Sequence, residues 1–297
     1  MSPHTRTVSL VLGSGGARGL AHIGIIRWLE EHHFKVISIS GCSMGALIGG
    51  VYAAGKLDEF EKWVLAIDKF DIITLLDLSW DSSGLIKGDK IINTLIQLVG
   101  DVHIESLPVK FTAIAADIKR EKEVWMNSGR LFDAIRASIS LPLFFTPVER
   151  DGVVLIDGGV LNPVPIAPTF HDHTDMTIAV NLGGKPQKRY QKEEPPLSQP
   201  HADADRDITD KIKHFIQEIK HSTSRVVTEI DLGVYDIANQ AFDAMQSTIA
   251  REKLAAYPPD YSIEIARNAC GTLEFDKAEE MIILGYEEAA KSLGELL

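Results

Sequence analysis

The run Gly41-Cys42-Ser43-Met44-Gly45 constrains this chain more than any other feature, because of where it stands. The β-like run Val36–Ser40 leads into it, and the small-residue helical run Ala46–Ala54 leaves it. Together they read as strand, turn and helix around G-x-S-x-G, the pattern of a nucleophile elbow. Such a turn needs glycine on both sides of the serine, where any side chain would clash, so Gly41 and Gly45 are assigned to the elbow itself. The turn lifts the Ser43 hydroxyl off the sheet edge. It also sets it at a helix N-terminus, where free N–H groups and the helix dipole favour developing negative charge.

The same alternation runs through the first 180 residues. Ser9–Leu12 is apolar and enters Gly13-Ser14-Gly15-Gly16-Ala17-Arg18-Gly19, after which Leu20–His33 has helical periodicity. Leu57–Phe70 and Asp89–Val99 read as amphipathic helices; Val109–Ala116, Glu123–Asn127, Val153–Ile156 and Met176–Asn181 read as strands. Strands alternating with helices, with glycines at the strand ends, predict an α/β fold: a central, mostly parallel sheet flanked by helices. A chain of 297 residues buries roughly three quarters of its unfolded surface and needs no disulfide or metal staple. One domain over 1–297 is expected, with a core at about 8–182, a proline-rich polar loop at 183–207 and a helical, C-terminal part at 208–297.

Charge narrows the partners. Thirty basic against 42 acidic residues leave a net −12 with no basic segment, which argues against a nucleic-acid partner. Beyond Gln191 there are 11 basic and 21 acidic residues, which reads as a solvated helical face. Cys42 and Cys270 form no disulfide framework and have no metal-ligand spacing, so neither a metal nor a cofactor is expected. The first apolar run, Val8–Leu12, is too short for a signal-peptide core, and no stretch nears the roughly 18 apolar residues of a spanning helix. A cytoplasmic protein is expected, and peripheral contact with the inner face of a membrane is compatible with that. The apolar run Phe70–Trp80 reads either as a cap or interfacial patch over the cleft, or as a loop packed on the core.

Two further signals share an edge with the elbow. In a parallel sheet the glycine turns after adjacent strands open on the same side. The Gly13–Gly19 loop is therefore either a phosphate cradle or an oxyanion hole, with Gly15 and Gly16 N–H groups facing what Ser43 attacks. Against the cradle, no acidic residue ends the second strand and no Gly-Lys-Ser/Thr is present. Arg18 either orients the loop or touches an anionic substrate group. The turn Asp157-Gly158-Gly159 can project a carboxylate into the same cleft. Histidine partners for a Ser-His-Asp triad are poorly supported: His171 and His173 lie in a polar turn, His201, His214 and His221 in polar or charged segments, and His22 suits capping or packing.

Gly13–Gly19, Gly41–Gly45 and Asp157–Gly159, in this order, resemble the patatin-like phospholipases, whose pattern is G-x-G-G-x-[KR]-G, then G-x-S-x-G, then D-G-[GA]. The run Ala134–Ser138 to Leu141-Pro142, with Phe144 to Val148, is similar to the segment the family carries before its aspartate. The likeness spans about Val8 to Asn181 and looks closest to the short bacterial form related to the catalytic domain of neuropathy target esterase. It implies a patatin-like α/β hydrolase fold and a Ser43–Asp157 dyad without histidine. It further implies an oxyanion hole in the Gly15, Gly16, Arg18 loop, and a lipid or other acyl ester as substrate.

Overall fold

The computed structural model describes residues 5–67, 86–190 and 229–297, and of residues 229–236 it describes the backbone. The cap segment Phe70–Trp80, His201, His214, His221 and most of the polar loop lie outside the described residues. Two compact units emerge: Met1–Gln187 with Phe242–Leu297, and Lys188–Ala241. The first contains the whole sheet.

The elements run β1 (Thr7–Leu12), a short 3-10 turn (Gly16–Leu20), α1 (Ala21–Glu31), β2 (Lys35–Cys42), α2 (Met44–Ala53) and α3 (Leu57–Ala66). Then come α4 (Asp89–Val99), β3 (Lys110–Asp117), β4 (Lys122–Met126), α5 (Leu131–Ser138), β5 (Val148–Arg150), β6 (Val153–Asp157) and β7 (Met176–Gly184). α6 (Glu229–Ala256), β8 (Tyr261–Ala266) and α7 (Ala278–Leu293) complete the chain. The eight-stranded sheet has the order β5-β6-β3-β2-β1-β7-β8, with β4 also on β3. β8, β7, β1, β2 and β3 are mutually parallel. β4, β6 and β5 join antiparallel, so the sheet is mixed.

Two pairings set the site. β1 and β2 are parallel neighbours in register to Leu12↔Gly41, so the loops after them leave from one edge. β3 has only two edges, and β4 takes one along Ala113–Asp117. β2 pairs with β3 up to Ile114, and β6 takes over from Ala115. Both therefore lie on the remaining edge, head to head: β2 ends at Cys42 and β6, running the other way, ends at Asp157. A parallel strand would have put its start there instead.

Helices flank the sheet. α2 is apolar all round and almost wholly buried, as a helix enclosed on every side must be. α1 meets α7 backbone to backbone at Gly24 and Gly285: a Cβ on Gly24 would lie 2.7 Å from the Tyr286 nitrogen and collide with the Ile282 carbonyl. Val11, Val164, Ile166 and Ala179 form one core cluster with Ala250 of α6.

Candidate active site

Ser43 follows β2 and caps α2. Its φ of 55° and ψ of −123° are unusual for a residue with a Cβ, and such strain costs about 1–3 kcal/mol. The surroundings hold it. A Cβ on Gly41 would sit 2.5 Å from the Gly45 oxygen, and one on Gly45 would collide with the Leu12 carbonyl. The Ser43 N–H donates to Ser138 Oγ at 2.9 Å, and that hydroxyl donates to the Ile114 carbonyl at 2.6 Å. Ser138 thus fastens the elbow to β3 from the last residue of α5. The sequence offered no helix assignment there, and only the family-like run Ala134–Ser138 pointed to it.

Asp157 is fully buried at the head-to-head junction. Its N–H donates to the Ser140 carbonyl at 2.9 Å. Oδ1 accepts from the Gly159 N–H at 2.8 Å and, weakly, from Cys42 Sγ at 3.9 Å. Oδ2 is buried with no hydrogen-bond partner among the described residues. Burial pushes the Asp157 pKa up to about 6, against the opposing pull of Ser43, the Gly159 N–H and Cys42. Burial chiefly, and the Asp157 charge next, hold the Cys42 thiol protonated.

The glycine loop is pinned at its ends and bare in its middle. Gly13 N–H donates to Val180, Ser14 N–H to Pro163 and Ala17 N–H to Thr272. The Gly15 and Gly16 N–H groups have no partner among the described residues. Gly16 has φ +56°, and a Cβ there would collide with the Thr272 carbonyl. The Met44 N–H, at the first position of α2, is another orphan donor, since the first turn of a helix has no internal acceptors for its N–H groups. The sequence reading left it out, although a residue following an elbow serine commonly completes an oxyanion hole. Arg18 turns away from this loop. Its guanidinium donates to the Arg267 and Cys270 carbonyls at 3.0 and 3.2 Å and pairs with Asp243 at 3.0 Å. These bonds tie the end of the glycine loop to the segment after β8 and to α6.

Ser43, Met44 and Gly16 open into a cavity of about 110 Å³ walled by residues such as Leu47, Phe60, Trp63 and Phe145. Among the described residues, Ser43 and Thr272 supply its only hydroxyls, and none that lines it is Lys, Arg or His. Three of the candidate histidines, His22, His171 and His173, lie among the described residues. His22 is buried, and its Nε2–H donates to the Gly13 carbonyl at 2.9 Å. Burial lowers its pKa to about 4, so it stays neutral. His171 and His173 are exposed and flank Asp172, which binds Ser9 and the Lys110 ammonium. Lys110 begins β3 and Thr7, bonded to Asp175, begins β1. This turn therefore sits at the strands' N-terminal edge, opposite the elbow. Among the described residues, no group of His, Cys, Asp and Glu is arranged to hold a metal.

Residues 10–170 match the family model for patatin-like phospholipase. An uncharacterized NTE family protein of Mycobacterium tuberculosis is 37% identical over 96% of this chain and 91% of its own length. Lysophospholipase nte1 of Emericella nidulans is 33% identical over 60% of this chain, which spans 12% of that protein. Neuropathy target esterase sws of Drosophila melanogaster is 30% identical over 60% of this chain and 13% of its own length. The chain belongs to the patatin-like phospholipase family and is, with that family, a lipid carboxylic-ester hydrolase. Among the described residues no helix is long and apolar enough to cross a membrane.

Proposed function

We propose that the chain hydrolyses acyl esters of lipids, of the lysophospholipase, phospholipase A or related esterase type, through Ser43 and Asp157. The observation that carries the reading is the position of Ser43, the polar end of an apolar cavity with a buried carboxylate behind it. An acyl chain fills the apolar volume while its ester carbonyl meets the hydroxyl.

Ser43 Oγ attacks that carbonyl and its proton passes to Asp157 Oδ2. The oxyanion takes hydrogen bonds from the Gly15 and Gly16 N–H groups, the kind of term that usually dominates acyl transfer. Asp157 returns the proton to the departing alcohol, leaving an ester on Ser43. A water then attacks, Asp157 takes its proton, and the carboxylic acid leaves as Ser43 regains its hydrogen. A carboxylate is an indifferent base for a serine, and burial that raises its pKa toward 6 brings the two closer. The names of the fungal and insect relatives support the lipid class. Leu273, a cavity residue, is 40% exposed and Leu143, between cavity-lining Leu141 and Phe144, is 57% exposed, which suits peripheral contact with a lipid surface.

The test is labelling with a fluorophosphonate probe and turnover of lysophosphatidylcholine by wild type, Ser43→Ala and Asp157→Asn. Wild type should label and turn over; Ser43→Ala should do neither, and Asp157→Asn should slow both by at least a hundredfold. Turnover that survives in folded Ser43→Ala would sink the assignment.

A further inference from the structure

The glycine loop is held from one helix face. Asp243 and Gln246 stand three residues apart on α6, so both side chains point the same way. Asp243 Oδ1 accepts from Arg18 at 3.0 Å, and Gln246 Nε2 donates to Ser14 Oγ at 3.1 Å. Ser14 and Arg18 bracket Gly15 and Gly16. Three of the four gripping residues, Ser14, Arg18 and Gln246, are buried. The grip also touches the acid. A Cβ on Gly159 would lie 2.7 Å from Ser14 Oγ and 3.0 Å from Asp157 Oδ1, and would collide with Gln246 Nε2. Gln246 and Ser14 therefore pack directly on the Asp157 turn, through space that only a glycine leaves open. Both α6 residues lie outside the 10–170 segment that matches the family model.

We propose that Gln246 and Asp243 are positioning residues for the reaction, a brace that fixes the Gly15-Gly16 N–H groups at the mouth of the cavity. The inference rests on the reading of Ser43 and Asp157 as the catalytic pair. Two adjacent glycines have more backbone freedom than any other dipeptide, so their N–H groups keep a direction only if both ends of the loop are fixed. The backbone bonds of Gly13, Ser14 and Ala17 pin those ends, and Gln246 on Ser14 and Asp243 through Arg18 add a side-chain hold on each. The brace acts on the oxyanion and so should matter in the transition state more than in substrate binding.

The experiment uses the full chain, with p-nitrophenyl butyrate as a soluble ester, fluorophosphonate labelling in parallel, and a thermal melt to confirm folding. Gln246→Ala should lower kcat about tenfold, a fraction of the 10²–10³ for losing an oxyanion donor outright, with KM changed less than twofold. Labelling should slow in step. Ser14→Ala should act alike, and Ser14→Ala/Gln246→Ala should be no slower than the slower single variant, as for two ends of one contact. Asp243→Ala should slow turnover, while Asp243→Asn, which keeps an oxygen for Arg18, should restore most of the rate. A folded Gln246→Ala with wild-type kcat, a change in KM alone, or strict additivity in the double variant would each overturn the brace. If Gln246→Ala does not fold, the Asp243→Ala and Asp243→Asn pair decides: equal rates in the two would overturn it. Ser43→Ala is run beside them, and turnover surviving there would instead overturn the catalytic reading.

Discussion

Asp157 is placed at a cost to the fold. Its pKa is raised from 3.8 to about 6, chiefly because burial penalises the carboxylate. A raised folded pKa means the folded state holds the proton more tightly than the unfolded one. The associated stability is fully present below pH 3.8 and is lost as pH rises through about 6. Above that the ionised group opposes folding by about 3 kcal/mol. Asp157→Asn removes the charge and keeps an oxygen for the Gly159 N–H. We therefore expect Asp157→Asn to be more stable than wild type by about 3 kcal/mol at pH 8, shrinking to about 1 kcal/mol at pH 4.5, in urea denaturation. A difference independent of pH would refute the buried-carboxylate account. The same group predicts that kcat/KM falls on the acid side with an apparent pKa of about 6. Ser43 shows the matching strain at φ 55°, held by Ser138 and two flanking glycines. Both residues are less stable where they stand than a fold without chemistry would make them.

At the scale of elements, the ends of β1 and β2 were readable because glycine-rich turns and the period of α1 and α2 are local signals. The Asp157-Gly158-Gly159 turn was readable as a carboxylate that could enter the elbow's cleft, but its pairing with Ser43 as a dyad came from the likeness of motifs. Its physical cause, β6 arriving antiparallel on the same edge of β3 that β2 occupies, depends on two long-range pairings, Cys42 with Ile114 and Ala115 with Asp157. β5 and α5 were missed for the same reason: three residues of strand and eight of helix carry little pattern without the sheet they lean on. Arg18 was legible as a loop residue but not in direction, because its partner is 225 positions away. Gly24 looked like any glycine in a helix, yet it marks the backbone contact of α1 with α7. Gly24→Ala adds helix propensity but forces the helices apart. The overpacking term, about 1–3 kcal/mol, should exceed the roughly 1 kcal/mol of propensity gained. The expected result is a lower urea midpoint with activity retained in the folded fraction; an unchanged or raised midpoint would mean the helices separate freely.

At the scale of the molecule, the segment matching the family model is part of a larger compact unit. Residues 10–170 carry the elbow, the glycine loop and the acid turn. The rest of the chain completes their environment. β8 pairs along β7, which otherwise ends the sheet with open N–H and carbonyl groups. α7 covers α1, where Ile23, Ile26 and Leu29 are fully buried. α6 adds Ala250 to the core cluster and Lys253 to Glu123, which also holds Asn162. The compact unit itself draws on both ends, Met1–Gln187 with Phe242–Leu297. A chain stopped after Gln187 should expose the apolar face of α1, leave β7 as an unpaired edge and release Arg18 from Asp243, a buried cation without its partner. We expect that truncated chain to show no cooperative melt by circular dichroism, to aggregate on concentration and to take no fluorophosphonate label. A cooperative melt with labelling would show that the matched segment holds its own site, and would place the whole C-terminal contribution, the α6 brace included, outside what the chemistry requires.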